Sequence, residues 1–145
     1  MKILQFTLLS IIILFTVACK KESTDSIQAG DKGELVLEFD NVVGNQNLQL
    51  NTANYTNARG ETYKISMLNY YISNIILVKT DGSTYTIPRD SSYFLIKEEE
   101  AATQKIILKD VPAGDYAGLR FVIGIDSLKN AAPLGERTGC LDPAG

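Results

Sequence analysis

Two patterns of apolar and polar positions divide the chain. Ile3 to Val17 is almost continuously apolar, through Leu8-Leu9 and Ile11-Ile12-Ile13-Leu14-Phe15, with Gln5, Thr7 and Ser10 as polar interruptions. Past Gly33 the pattern changes to period two. Leu35, Leu37 and Phe39 alternate with Glu34, Val36 and Glu38, as a half-buried strand requires. Leu48 and Leu50 alternate with Gln49 and Asn51, and Tyr63, Ile65 and Met67 with Lys64 and Ser66, which predicts two more strands with Met67 packing inward. Tyr70 to Val78 is a longer apolar run. Leu119, Phe121, Ile123 and Ile125 alternate with Arg120, Val122 and Gly124.

Turn chemistry separates these runs. Asn51 to Gly60 is rich in Asn, Thr and Gly and reads as loop. Asp81-Gly82, between Val78 and Tyr85-Thr86-Ile87, is a hairpin signal. Tyr93 to Ile96 is another apolar run, and Glu98-Glu99-Glu100-Ala101-Ala102 after it reads as a solvated connection. Ile106, Leu108 and Val111 lead into Pro112-Ala113-Gly114-Asp115, where proline presets one φ and glycine admits a positive one. About seven short strands without a long 3.6-period segment predict an all-β fold, an antiparallel β-sandwich.

Lys20 to Lys32 is polar and nearly free of bulky apolar side chains, so residues 19–32 read as a flexible tether. The stretch from Gly33 to Gly145, about 110 residues, suffices for a single core. The net charge is −3; without residues 1–18, which carry only Lys2, it becomes −3 − 1 = −4. This mild acidity excludes a broad basic footprint for nucleic acid.

The basic start at Lys2, the apolar run and the small residues before Cys19 make a secretory signal, too short and too interrupted for a spanning helix. Thr16-Val17-Ala18-Cys19 resembles a bacterial lipobox, with Thr16 where Leu is usual. The resemblance implies removal of residues 1–18 and lipidation of Cys19. The protein would then sit in the cell envelope, lipid-anchored in a membrane, with the outer membrane as the expected site. Cys140 is left as the only thiol, open between a free thiol and pairing with a cysteine beyond Gly145.

Four stretches carry a further resemblance: Gly33-Glu34-Leu35-Val36-Leu37-Glu38-Phe39, Leu68-Asn69-Tyr70-Tyr71-Ile72-Ser73-Asn74-Ile75, Val111-Pro112-Ala113-Gly114-Asp115-Tyr116 and Phe121-Val122-Ile123-Gly124-Ile125-Asp126-Ser127-Leu128-Lys129-Asn130. In this order they resemble the MbnP-like domain, named for a copper-associated periplasmic protein of methane-oxidising bacteria and common in lipoproteins of Bacteroidetes-type bacteria. Tyr-Tyr-Ile-Ser-Asn and Ile-Gly-Ile-Asp-Ser are the most specific pieces. Family members usually continue past a segment like Leu141–Gly145 into a Met- and Trp-rich stretch and further strands. The resemblance therefore implies a domain over residues 33–145 that is incomplete at its C-terminus. Copper in the named member is associated with His and an oxidised Trp. This chain has neither residue type, so no metal ligand carries over and copper is expected only of a longer protein.

Among candidate site residues, adjacent Tyr70 and Tyr71 must face opposite sides of a strand, one toward the core and one outward. Ser73 and Asn74 offer hydrogen bonds to a neighbouring loop. Ser73 lacks the oriented base that a nucleophile needs. Asp126 and Asn130 have oxygens for a hard cation, but the spacing suits a turn whose Asp caps backbone N–H groups. Cys140 and Met67 are the soft donors outside the tether.

These readings converge on a non-enzymatic binding protein, linked to copper by resemblance, for which a di-haem peroxidase-like partner would fit. The alternative is a surface-exposed adhesion or carbohydrate-associated sandwich whose partner is a surface glycan. Each methylene buried by an acyl chain contributes about 0.8 kcal/mol to anchoring. Cys19→Ala is therefore expected to move the protein from the membrane pellet to the soluble fraction, as read by fractionation and blotting. Retention in the pellet would refute the anchor.

Overall fold

The computed structural model describes residue 28 and residues 30–142. The signal segment, the Cys19 lipidation site and most of the tether lie outside the described residues. Within them the chain is all-β and antiparallel. In order come β1 (Lys32–Glu38), β2 (Val42–Val43), β3 (Gln46–Asn47), β4 (Tyr55–Thr56), β5 (Thr62–Tyr63), β6 (Asn69–Lys79), β7 (Thr84–Thr86), β8 (Tyr93–Lys97), β9 (Lys105–Pro112) and β10 (Tyr116–Ile123), with one helical turn, α1 (Ser127–Asn130).

β6 is the axis. β10 pairs along one of its edges, while β8 and β7 lie end to end along the other, against Asn69–Ser73 and Ile76–Val78 respectively. β1 and β9 form a two-stranded layer across this sheet. Ile72, Ile75, Leu77, Ile87 and Ile96 pack against Ile106, Leu108 and Val111, and Leu35, Leu37 and Phe39 close the core from β1. The two layers make the sandwich expected from period two. The Asp81-Gly82 hairpin forms as read, with Gly82 at φ +85°. The Pro112–Asp115 turn carries the chain between layers, and the Tyr116 hydroxyl donates back to Pro112 O at 2.6 Å.

The β1–β9 ladder shifts register once and the β6–β10 ladder twice; beside the shift at Ala117 of β10, one in each layer inserts a residue on the partner strand. Opposite Phe121, β6 places two residues, Asn74 and Ile75, where β10 has one. Opposite Glu34, β9 places Lys109 and Asp110. Each insertion is a β-bulge, and each contains a residue with positive φ, Asn74 at 54° and Asp110 at 56°. Asn and Asp tolerate this left-handed geometry better than other residues with a Cβ. The extra residue reverses side-chain parity. Ile75 therefore returns to the inner face three positions after Ile72, and Val111 three after Leu108. The buried Ser92 hydroxyl accepts the Ile75 N–H at 2.9 Å, and Ile75 O accepts from Ile87 N at 3.0 Å.

Three local expectations are corrected. Residues 64–68 form no strand, and Met67 is 66% exposed; the stretch makes isolated backbone bonds, Ile65 O accepting Asn51 N–H at 2.8 Å and Leu68 O accepting Glu98 N–H at 3.0 Å, in place of a ladder. The Asn51–Gly60 stretch is not all loop: β4 pairs β5 within a small hairpin, and Tyr55 is buried with its hydroxyl accepting Gln49 N–H at 2.8 Å. Leu48 is buried without belonging to a strand.

The bulge makes a backbone prediction. Asn74→Gly should leave stability nearly unchanged, since glycine takes a positive φ freely. Asn74→Val should cost about 1–2 kcal/mol from the left-handed backbone penalty. Urea unfolding of both variants beside the parent checks the order, and equal costs would refute the bulge assignment.

Candidate functional site

Opposite faces of β6 carry the two tyrosines, so they build two different sites. Tyr70 faces the core side. Its hydroxyl donates to Asn41 Oδ1 at 2.9 Å, and Asn41 Nδ2 donates to Glu98 Oε2 at 2.9 Å, which also accepts from Gln104 Nε2 at 3.1 Å. Glu98 is thus a member of a network, not merely part of a solvated acidic run. Burial raises the Tyr70 pKa, and the Glu98 charge adds to that rise against the opposing Asn41 bond. Beside this network the layers part into a cleft of about 380 Å³, lined by Phe39, Leu68, Tyr70, Phe121 and Ile123. Phe39 meets both Tyr70 and Phe121 edge to face, with ring centroids 6.4 and 5.7 Å apart.

Tyr71 faces outward, where residues 124–142 fold back over the β8 half of the sheet. Gly124 N donates to Tyr71 O at 2.8 Å, and Ser73 Oγ donates to Gly124 O at 2.7 Å. The Tyr71 hydroxyl donates to Cys140 O at 3.1 Å, and the Cys140 thiol donates to Tyr93 O at 3.3 Å. The Tyr93 hydroxyl makes a short hydrogen bond to Asp126 Oδ2, while Asp126 Oδ1 caps α1 by accepting Lys129 N–H at 3.1 Å. Arg137 donates to Ala132 O and Asn130 O at 3.1 and 2.8 Å, closing the segment on itself. A small cavity of about 210 Å³ remains between Tyr71, Ile125, Lys129, Asn130 and Arg137.

The structure therefore brings Tyr71 and Ser73 of the sheet together with Asp126, Asn130 and Cys140 of the covering segment, where Asn130 is exposed, and separates Tyr70 and Asn74 from them. Both Asp126 oxygens are engaged internally, so the carboxylate serves as cap and latch rather than as an open cation ligand. Asn130 contributes its backbone carbonyl. Asn74 sits at the bulge with Oδ1 buried and unpartnered among the described residues. Burial pushes the Cys140 thiol up, away from the thiolate that nucleophilic or soft-metal chemistry needs. Tyr93, Ser92, Asn41 and Gln104 were not singled out from sequence. Tyr93 occupies the outward position paired with Ser73, yet that pairing becomes visible only once β6 and β8 are in register.

Burial and the Asp126 bond push the Tyr93 pKa up to about 12. The same bond, with the Lys129 N–H, holds the Asp126 carboxyl below its usual range. The latch stabilises fully below a phenol's ordinary pKa of about 10, and that contribution is lost as pH rises through about 12. On the acid side it is present above the ordinary Asp pKa and lost as pH falls through the depressed one. Tyr93→Phe should remove a high-pH absorbance transition of tyrosinate and move the Asp126 carboxyl toward its ordinary value in an NMR titration. An unmoved Asp126 would refute the latch.

No curated protein and no solved structure matches the chain. The family model of MbnP matches residues 32–145, from the first strand through the segment covering Tyr71. By a match that spans the sandwich and its cover, this chain belongs to the MbnP family.

Proposed function

We propose that this protein is a non-enzymatic, lipid-anchored binding protein of the cell envelope, linked to copper through its family. The observation that carries this reading is the match over residues 32–145, in a family of binding domains associated with copper. The site geometry supports binding over catalysis. Ser73 donates to a carbonyl, the Cys140 thiol is held protonated, and Asp126 is spent on Tyr93 and α1.

The residues present do not fit copper itself. The sequence contains no His, and no group of three or more Cys, Asp or Glu side chains among the described residues could hold a metal. Met67 is an exposed thioether, and Cys140, half-buried in the covering segment, turns its thiol to Tyr93 O. A glycan-binding reading needs a solvent-facing aromatic row, whereas Tyr71 and Tyr93 point their hydroxyls into the cover.

Cu(II) favours imidazole nitrogen, so the full chain should show no sub-micromolar Cu(II) affinity in a competition titration with a chromophoric chelator. Tight Cu(II) binding would overturn the donor assignment. The copper link is tested separately, in cells lacking the gene. Unchanged envelope copper and unchanged copper tolerance would remove it.

A further inference from the structure

The root of the tether is bonded to one end of the sandwich. Ala113 N donates to Asp31 O at 2.7 Å. Gln28 and Asp31 close a turn before it, Gln28 N donating to Asp31 Oδ2 at 2.7 Å and Asp31 N to Gln28 O at 3.1 Å. Thr80 N donates to Asp115 O at 3.0 Å, which ties the β6–β7 hairpin to the Pro112–Asp115 turn. Antiparallel pairing therefore gathers the starts of β1, β7 and β10 and the ends of β6 and β9 at this end. Asn41, Tyr70 and Glu98 lie at the other, where Asn69 pairs Lys97 and Glu38 pairs Lys105. The tether end is polar. Asp31, Asp81, Asp110 and Asp115 meet Lys32 and Lys79 there, Lys32 pairing Asp110 at 3.7 Å, and residues 79–84 and 110–116 expose no large apolar side chain.

Given the Cys19 anchor of the preceding reading, on which this orientation rests, we propose that the tether end of the sandwich is its membrane-facing surface. It lies against the hydrated headgroup layer, and the end with Asn41, Tyr70 and Glu98 faces water. Covalent length decides between the two ends. Gln28 follows Cys19 by nine residues, and a stretch of that length spans at most about 32 Å in any conformation. β6 has eleven residues and runs about 35 Å from one end to the other. With the far end on the bilayer, the tether root would stand a full β6 length above it, out of reach of the anchored cysteine. With the near end down, the same tether has slack. The carboxylates and ammonium groups of the near end hold it at the surface, because charge entering hydrocarbon is strongly penalised. None of the residues that fix this orientation lies past Tyr116, and copper plays no part in it. A ligand of the Tyr70 site therefore arrives from the aqueous side, not from within the bilayer.

The test uses the lipidated full chain in nanodiscs whose headgroups carry a nitroxide, which quenches a fluorophore on contact. Cys140→Ser removes the remaining thiol, and one fluorophore is placed on Thr84→Cys at the tether end or on Glu99→Cys at the far end, both exposed positions. The label at position 84 should be quenched severalfold more strongly than the label at position 99. A Gly-Ser spacer of about thirty residues inserted after Lys21 adds a segment with an r.m.s. span of about 30 Å and should shrink that difference. Circular dichroism confirms the fold of each labelled protein, and Asp81→Cys or Glu100→Cys replaces one that unfolds. Equal quenching of the two labels on disc-bound protein, stronger quenching at position 99, or a difference undiminished by the spacer would overturn the orientation alone. Protein that leaves the discs would refute the Cys19 anchor, and the orientation with it.

Discussion

The single inserted residue at Asn74 in β6 governs how the rest of the molecule assembles. β6 is eleven residues long and must serve β10 along one edge and both β8 and β7 along the other. Without the insertion, a strict alternation that puts Ile72 inward would put Ile75 and Leu77 outward, and β6 would lose two of its three buried core side chains. The bulge reverses parity at the point where β8 stops and β7 begins, and Ser92 takes up the N–H that the broken ladder leaves over. The β9 bulge at Lys109–Asp110 repeats the device in the facing layer. Two left-handed residues with short polar side chains thus keep two strands in phase with one core.

The same axis divides the chemistry. Adjacent tyrosines on β6 open one site between the layers and another beneath the 124–142 segment. The outer site is closed by bonds that use almost every polar group offered. Ser73, Tyr71, Cys140, Tyr93 and Asp126 form a continuous chain of donors and acceptors from the sheet to α1. Groups committed in this way hold the 124–142 segment against the sheet, which is the architectural role their bonds describe. The inner site is different: its polar network sits at one end of an apolar cleft beside β10, which pairs only with β6 among the described residues.

Much of this was legible from local pattern. Period two in Leu35–Phe39 and Leu119–Ile123, Asp81-Gly82 and the Pro112–Asp115 turn identified strands, a hairpin and a crossing of layers, because each depends on residues close in sequence. The opposition of Tyr70 and Tyr71 followed from strand geometry, and the role of Asp126 as a cap followed from the spacing of its neighbours. Met67 failed because alternation shows that a stretch could line a core, not that a partner strand reaches it. Tyr55 failed for the converse reason, being buried by a hairpin too short to show a period.

The sequence by itself determined the class of fold, the main turns and, through the complete absence of histidine, the poverty of its copper donors. Those are local or compositional properties. Only the tertiary structure decided that Ile72 and Ile75 share one face, that Glu98 belongs to a network with Asn41, and that Asp126 latches Tyr93 across 33 residues. Each depends on register between strands distant in the chain, and register is set by the summed packing of both layers rather than by any one segment's preference.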